Sequence, residues 1–588
     1  MATLRAKPRF IGINKKRDSS ELRNQSALDA LNVQLDDGTI RKRDGYTSEV
    51  DMGASAVLGL YDFRRNDGSV QTLIKHGSEL FVREAGANTS LATGLSATEL
   101  ASFAVHSDRA YYVDGTNLKV TDGLLAGTRD AQLTQPGSGS APVVGSAGVM
   151  SGTYDYKVTF YSGTFGQESP ASDATITVDV DDEQIDFTAI PVSAQTDVTT
   201  RRIYRRKVST NETLWFFVWE IPNNIDTTWS DNTLDNDVST NDISPLTYSE
   251  SLPGFRYLEQ HSGVMFLAGD DDKLYFTLPD KPWSVTNFIR VGGEGAIGKI
   301  TGLRSFHGLL VIFKEDSIWT LSGITENTFN ARLILSGVGC AGGHSIVSAG
   351  SLLYFMGEDA FYVFNGAEAA RLSDSLQPDI LARNRSRDKY AVGVHDEENR
   401  SVIWTWSGTG ASVNDQVSVY FYGNTVRVNS EAESEENEQS WCPWQFNTGL
   451  TYCARVTTDA TSRDRKVWYG FDDGVVGEPG GNQDGSTAIE FKWQTGKWDG
   501  EIPEFEKNWV ELHVELIKQS AYTHLEVRHY RDAETDSEQL AVLDPRQAVH
   551  DLLVSDYSRD IRLEFYENSV NPVEVVSFTL EAEKAGRA

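Results

Sequence analysis

The stretches His307–Gly323 (HGLLVIFKEDSIWTLSG) and Gly350–Gly366 (GSLLYFMGEDAFYVFNG) decide the fold. Each contains an apolar run, a short polar turn and a second run in which apolar residues alternate with others. Turn residues between two alternating runs predict a β-hairpin. The turn centres of the two copies, near residues 315 and 357, are 42 residues apart.

The same hairpin recurs along most of the chain. Where no insertion intervenes, successive turns are 38 to 45 residues apart, and a step of about 40 residues is typical of four-stranded β-propeller blades. No long apolar stripe at helical spacing competes, so the sequence predicts an all-β propeller. Six to eight blades all fit this pattern. The further copies are Ala30–Tyr46, Gln71–Gly86, His106–Gly123, Ser262–Thr277, Val392–Ser407 and Arg465–Gly477.

Two longer gaps between turns predict insertions. The first leaves about 115 extra residues and contains short strands between turn signals, such as Gly152–Ser162 and Leu214–Ile221, which predicts an inserted β-sandwich. The second predicts an exposed loop over residues 408–441, with acidic residues at 431–438 that are interpreted as a solvated charge run or a contact point. After residue 485 the pattern changes, and alternating strands predict a C-terminal β-sandwich.

These observations divide the chain into five segments. The predicted order is a basic N-terminal arm (1–27), the first part of the propeller (28–135), the inserted sandwich (136–253), the second part of the propeller (254–485) and the C-terminal sandwich (486–588).

Charge and composition exclude several classes of function. The chain has 53 basic and 85 acidic residues, a formal charge of −32. Such a surface argues against a nucleic-acid binder and against docking on anionic lipid. The apolar runs are too short for a membrane span, so none is predicted. Three cysteines, Cys340, Cys442 and Cys453, form no disulfide framework and fit assembly in a reducing cytosol.

The sequence contains no motif that meets the requirements of an active site. Gly293–Lys299 has the spacing of a phosphate-binding loop, but Ile300 stands where a hydroxyl would bind magnesium. Asp270–Asp272 is interpreted as a hairpin turn, with a calcium site as the less favoured alternative. Cys340 and His344 are interpreted as part of a packed loop, with a nucleophilic pair as the alternative. The sequence therefore predicts no catalytic residue, cofactor or metal, and no enzyme activity.

Basic residues are concentrated near the N-terminus, where no acid precedes Asp18. On so acidic a chain, they predict either a contact with an acidic neighbouring subunit or simply a solvated terminus. The candidate contact residues are Arg9, Lys15, Lys16, Arg17, Arg41, Lys42 and Arg43.

Three segments carry a family resemblance. Leu28–Tyr46 (LDALNVQLDDGTIRKRDGY) resembles the start of nozzle, or tail tubular protein B-like, proteins of short-tailed phages, in which such a segment introduces the first propeller strands. Gly152–Ser172, together with Thr199–Arg206 (TTRRIYRR), is similar to fibronectin-type-III-like modules inserted in phage structural proteins. Leu309–Gly323 with Gly337–Gly366 resembles the propeller core of phage tail proteins. The chain is shorter than many nozzle proteins, which puts extra lumen or tip domains in doubt.

The resemblance implies a fold and a role. The expected fold is a β-propeller with an inserted fibronectin-type-III-like sandwich and a C-terminal sandwich. The expected role is a structural virion protein, a homohexameric tail nozzle assembled in the host cytoplasm, which contacts tail adaptors above and tail fibres or needle proteins. Double-stranded DNA would pass through it without specific binding. The alternatives are a receptor-binding protein and a propeller glycosidase acting on host surface polysaccharide.

Overall fold

A computed structural model describes residues 10–19, 22, 26–36, 38–124, 128–137, 141–174, 177–238, 252–292, 298–424, 440–458, 464–500, 503–520, 524–532 and 534–587. The fold is an all-β propeller that carries two further β domains. Among the described residues, helical segments are short, and none has the length and apolar character needed to cross a membrane. They are α1 (Asp235–Val238), α2 (Gln377–Leu381) and 3-10 turns at Val208–Thr210, Glu326–Thr328, Gly343–Ser345, Asp374–Leu376, Arg385–Tyr390 and Tyr422–Asn424.

The chain begins with strands that belong to two different domains. The first four belong to the two sheets of the C-terminal domain, where β2 pairs with β41 and β4 pairs with β47, and the fifth joins the propeller. They are β1 (Gly12–Ile13), β2 (Ser26–Leu31), β3 (Val33–Asp36), β4 (Thr39–Lys42) and β5 (Tyr46–Asp51).

The first two blades and the inserted domain follow. Each blade is an antiparallel sheet of four successive strands. Blade 1 contains β6 (Val57–Arg64), β7 (Val70–His76), β8 (Glu79–Glu84) and β9 (Ala87–Ala92), and blade 2 contains β10 (Ser102–His106), β11 (Arg109–Val113), β12 (Lys119–Thr121) and β13 (Arg129–Asp130). The inserted domain contains β14 (Pro142–Ser162), β15 (Gln167–Glu168), β16 (Val178–Phe187), β17 (Thr200–Lys207), β18 (Phe216–Ile221) and β19 (Trp229–Asp231).

Four more blades are built from consecutive strands. Blade 3 contains β20 (Tyr257–His261), β21 (Val264–Ala268), β22 (Lys273–Leu278) and β23 (Lys281–Arg290), and blade 4 contains β24 (Ile300–Phe306), β25 (Leu309–Lys314), β26 (Ser317–Ser322) and β27 (Asn330–Ser336). Blade 5 contains β28 (Val347–Ala349), β29 (Leu352–Met356), β30 (Phe361–Phe364) and β31 (Ala369–Arg371), and blade 6 contains β32 (Val392–Asp396), β33 (Ser401–Trp406), β34 (Gln416–Phe421) and β35 (Trp441–Trp444).

Blade 7 closes the ring with strands from both ends of the propeller sequence. β36 (Leu450–Thr457), β37 (Arg465–Phe471) and β38 (Val475–Pro479) supply three strands, and β5 pairs antiparallel with β38 as the fourth. β36 also packs beside β6 of blade 1. The described propeller therefore has seven blades, and its N-terminal strand completes the last one.

The remaining strands form the C-terminal domain, after the short β39 (Gln483–Asp484) and β40 (Thr487–Ala488) at the edge of blade 7. One sheet has the order β1-β2-β41-β46-β43-β44 and the other β3-β4-β47-β42-β45. The new strands are β41 (Phe491–Thr495), β42 (Phe505–Leu516), β43 (Leu525–Arg531), β44 (Glu538–Leu543), β45 (Val549–Ser558), β46 (Ile561–Glu567) and β47 (Glu574–Arg587).

Three predicted boundaries are wrong. The hairpin Ala30–Tyr46 was assigned to the propeller, but β3 and β4 pair with each other and with β47 in the C-terminal domain. The predicted arm over residues 1–27 is packed against the protein from Phe10 onward, because Phe10, Ile11 and Ile13 are buried. The predicted loop 408–441 contains β34, whose apolar side chains are buried in blade 6; its acidic residues 431–438 lie outside the described residues.

The inserted domain is built around the long strand β14. Its first half pairs with β16 and its second half with β17, with β-bulges between Val144 and Ser151. The two halves share an apolar core in which the rings of Tyr156 and Phe187 meet at 4.8 Å. Contacts with blade 2 hold the domain in place, since Arg129 Nε is 2.7 Å from Asp197 Oδ2.

Arg43 joins the C-terminal domain to the propeller. It lies between β4 and β5, is 1% exposed and forms a two-pronged pair with Asp484, at 2.9 Å from Nη1 to Oδ1 and 2.6 Å from Nη2 to Oδ2. Its other hydrogen bonds go to Asn32 Oδ1 and to the carbonyls of Asp44 and Gln445, so all five donors are used. The guanidinium also lies 4.2 Å from the centre of the Phe446 ring.

Asn32 and Lys42 reinforce this junction. Asn32 adopts a positive φ of 54°, accepts from Gln445 N at 2.7 Å and donates to Glu490 O at 2.8 Å. Lys42 is 4% exposed and pairs with the buried Glu567. A buried charge without its partner is costly, so these pairs hold the N-terminal segment in one register.

The junction can be tested with two neighbouring arginines. Arg43→Ala leaves the carboxylate of Asp484 buried without its partner, and we expect a loss of about 3–5 kcal/mol in the free energy of unfolding. Arg41→Ala is the matched control, because Arg41 pairs with the half-exposed Asp44, and we expect a loss of at most about 1 kcal/mol. Urea denaturation followed by tryptophan fluorescence measures both. Equal losses for the two variants would contradict the assigned role of Arg43.

Candidate functional site

A cavity of about 340 Å³ lies on the propeller axis. Every blade contributes to its wall, because the first strand of each blade is the one nearest the axis. The lining includes one or more residues from each innermost strand or its lead-in: Tyr61 (β6), Phe103 (β10), Glu259 (β20), Arg304 (β24), Ser348 (β28), His395 (β32) and Arg455 (β36).

One end of this axial cavity is crossed by an ion cluster. Glu99, Arg256 and Lys389 lie just before the innermost strands of blades 2, 3 and 6. Arg256 pairs with Glu99, and Lys389 Nζ donates to Glu99 Oε1 at 3.0 Å. Burial alone would raise the pKa of Glu99, but the hydrogen bond from Lys389 and the charge of Arg256 lower it below its usual value. Because blades 2 and 6 are three positions apart, the cluster joins residues from across the ring.

Aromatic rings form the floor above the ion cluster. His344 faces the cavity but lies deep in the protein, with its ring centre 5.7 Å from that of Tyr257 and 6.2 Å from that of Tyr452. Burial lowers the pKa of His344 to about 4. The imidazole is therefore neutral near pH 7.

Arginines surround the opposite end, which is the mouth. Arg455, near the end of β36, donates to Glu397 at 2.7 Å, and Arg465, at the start of β37, lies 2.9 Å from Asp62. Glu397 is largely exposed, so this end of the cavity faces solvent.

Glu259 and Arg304 face each other on the wall. Glu259 Oε1 accepts from Ser305 N at 2.9 Å, while Oε2 lies 3.9 Å from Arg304 Nη1, too far for a hydrogen bond. Arg304 Nε donates to Ser348 Oγ at 3.2 Å. Burial raises the pKa of Glu259, and the charge of Arg304 opposes this rise.

The predicted Cys–His alternative receives no support from the geometry. Cys340 Sγ is fully buried and donates to Gly342 O at 3.2 Å, and burial raises the pKa of the thiol to about 12. A nucleophilic cysteine needs a thiolate, which this environment disfavours. The ring of His344 packs on tyrosines instead, as described above.

The other sequence motifs lie in ordinary turns or outside the residues that the structure describes. Asp270 pairs with Arg256, Asp271 accepts from Lys273 N, and Asp272 pairs with Arg290. Within the described ranges, no group of three or more His, Cys, Asp or Glu residues could hold a metal ion. Residues 293–297 of the glycine-rich motif lie outside the described residues.

The structure does not bring the predicted basic contact residues together. Arg9 lies outside the described residues. Lys15 pairs with Asp379 after blade 5, at 2.6 Å, and Lys16 and Arg17 lie in the same loop. Arg41 pairs with Asp44. Lys42 and Arg43 are buried in this chain's own ion pairs and are not available to a neighbouring subunit, so that part of the prediction is wrong.

Sequence reasoning missed the axial residues. Glu99 and Lys389 are 290 positions apart. Glu259 and Arg304 lie in β20 (YLEQH) and β24 (ITGLRSF), each as the one Asp, Glu, Lys or Arg of its strand and outside any motif. The available signal was position, since each lies in or just before the first strand of a predicted blade. Only the closed ring shows that these positions converge.

No protein-family model and no curated protein matches the chain. Similar solved structures include the WD40 repeats of RRP9, at 7% identity over 75% of this chain and 99% of that chain, with a TM-score of 0.33. Sqt1 from Saccharomyces cerevisiae is similar at 9% identity over 74% and 98%, with a TM-score of 0.32, and YCF48 bound to D1 peptide at 9% over 74% and 94%, with 0.31. The propeller itself is shown by the strand order of this chain.

His344 gives a pH-dependent prediction. Its pKa is about 4 in the folded chain and about 6.5 when unfolded, so between these values the unfolded chain binds a proton that the folded chain does not. Protonation of His344 in the unfolded chain therefore destabilises the fold as pH falls, by at most about 2 kcal/mol at pH 5. We expect His344→Phe to lose less stability than the wild type between pH 7 and pH 5 in urea denaturation. An unchanged dependence in His344→Phe would contradict the assignment.

Proposed function

We propose that the chain is an architectural protein of a phage tail, which assembles with copies of itself into a ring-shaped nozzle through which DNA leaves the capsid. The proposal rests on the family resemblance of three sequence segments and on one structural observation. Two outlying domains, on separate sectors of the propeller, each end in an edge strand with exposed large apolar side chains. Such strands are sites of association between chains.

The first of these surfaces, the β18 edge, ends the sheet of the inserted domain. Trp219 is 52% exposed, Leu214 precedes the strand and is also exposed, and Phe216 and Phe217 are half-buried. The second surface, the β45 edge, ends one sheet of the C-terminal domain. Here Val549, Leu553 and Tyr557 are exposed, with Leu553 at 78%.

The placement of the two edges favours a head-to-tail contact. The inserted domain leaves the ring between blades 2 and 3, whereas the C-terminal domain is joined to blades 6 and 7 through the contacts of Asn32 and Arg43. Two different surfaces on separate sectors of one subunit form a heterologous interface, which closes into a ring when the rotation between copies permits.

The acidity of the chain supports passage of DNA without adhesion. Six copies would carry a formal charge of −192, six times −32. An acidic lumen repels phosphates, so DNA would slide rather than bind. The conduit would be the axis of the assembly, because the ion cluster around Glu99 crosses the axis of each propeller.

The glycosidase alternative has less support. Cleavage of a glycosidic bond generally uses two carboxyl groups that flank it. Among the described residues that line the axial cavity, Glu259 is the single carboxylate. We therefore propose a non-catalytic role, and a reducing-sugar assay on host polysaccharide would test it.

Electron microscopy and two edge variants test the proposed role. We expect rings of the purified wild type, labelling of virion tails by an antibody, and monomers for Trp219→Asp and for Leu553→Asp. An equimolar mixture of the two variants should form a one-to-one dimer by mass photometry, because each retains the edge that the other lacks. Ile324→Asp, which changes an exposed apolar residue on blade 4, is the control and should still form rings.

The outcomes separate the parts of the proposal. A wild type that stays monomeric, with no label on tails, would overturn the nozzle role. Rings that persist in both edge variants, or a mixture that stays monomeric, would show that the ring uses other surfaces.

A further inference from the structure

We propose that the axial cavity binds one carboxylate-bearing sugar unit, such as a uronic acid, with Arg304 holding the carboxylate. The inference goes beyond the nozzle role and does not depend on it, because it rests on the cavity of a single chain.

The ion pairs of the lining leave one arginine, Arg304, for an anion. Among the residues that the structure describes, three arginines line the cavity, Arg304, Arg455 and Arg465, and one acid, Glu259, although the whole chain has a formal charge of −32. Two of the three neutralise acids at the mouth, Glu397 and Asp62. Arg304 is the one without a carboxylate within hydrogen-bond distance among the described residues.

Arg304 has the geometry to hold a carboxylate. Its Nε is fixed by Ser348 Oγ, which orients the guanidinium, and its Nη1 lies 3.9 Å from the nearest acidic oxygen. The terminal N–H groups of an arginine match the two oxygens of a carboxylate in a planar, two-pronged pair. A ligand carboxylate at this point would complete the hydrogen bonds that Glu259 is too distant to make.

The surrounding groups suit a hydroxylated ring. Glu259 Oε2 faces the same space as Arg304 and can accept hydrogen bonds from ligand hydroxyls, while Oε1 is held by Ser305 N. Tyr61 and Phe103 form a stacked pair with ring centres 5.2 Å apart and planes at 20°, and both line the wall. This pair provides an apolar surface for the carbon face of a sugar ring.

The size and closure of the cavity limit the ligand to a small group. Its volume of about 340 Å³ is near the lower end of the range of small-molecule pockets, about 300–1,000 Å³. The aromatic floor around His344 and the ion cluster around Glu99 prevent a polymer from threading through. The ligand is therefore a single unit or the end of a chain, entering from the mouth.

Calorimetric titration of the full chain tests the inference with three defined probes. We expect saturable binding of glucuronate, and binding of glucose at least about tenfold weaker, because glucose lacks the charge that Arg304 would hold. Acetate, which has the carboxylate without the ring, should also bind at least about tenfold more weakly. Acetylglutamate amide tests whether an acidic protein side chain is the occupant instead.

Variants on one blade identify the contact. Arg304→Gln should weaken glucuronate binding by about tenfold or more while leaving the weak binding of glucose unchanged. Arg332→Gln, on the outermost strand β27 of the same blade, removes an exposed arginine far from the axis and should bind as the wild type does. Thermal unfolding checks that both variants are folded.

Three results would overturn the inference. They are the absence of glucuronate binding, equal binding of glucuronate and glucose by the wild type, and acetylglutamate amide binding as tightly as glucuronate. The comparison of probes on the wild type decides the question even if Arg304→Gln fails to fold.

Discussion

Arg43 is buried at the point where the N-terminal segment crosses from the C-terminal domain to the propeller, and the arrangement of both domains depends on its pair with Asp484. The cation is fully hydrogen-bonded and both partners are removed from water, so neither can be released without leaving the other uncompensated. A few residues further on, β5 enters blade 7 and closes the ring. The same short segment thus fixes the C-terminal domain and closes the propeller.

Ring closure creates the axial site. Residues before the innermost strands of blades 2, 3 and 6 meet only because the seventh blade is complete, and their ion cluster lies at one end of the axial cavity. Glu259 and Arg304 face each other on the wall of that cavity. The sectors outside the ring remain available for the two attached domains, whose exposed edge strands support the proposed assembly.

The hairpin spacing predicted the propeller well because local alternation and turn residues define each blade. Seven of the eight quoted hairpins lie one to a blade, whereas the sequence alone left six to eight blades open. The eighth, Ala30–Tyr46, has the same local pattern but pairs with β47, and local pattern carries no information on a partner more than 500 positions away. Likewise, Lys42 and Arg43 read as surface cations because their carboxylate partners, Glu567 and Asp484, are distant in sequence. The axial site was not predictable for the same reason.

Hydrogen–deuterium exchange of the native chain tests the central claim most directly. If the segment around Arg43 joins the two domains, the amides of β5, β38 and β47 should open together, with one free energy of exchange, and Arg43→Ala should lower it for all three. Contradiction would come from β5 exchanging within minutes while β38 and β47 stay protected, or from the C-terminal domain opening independently of blade 7.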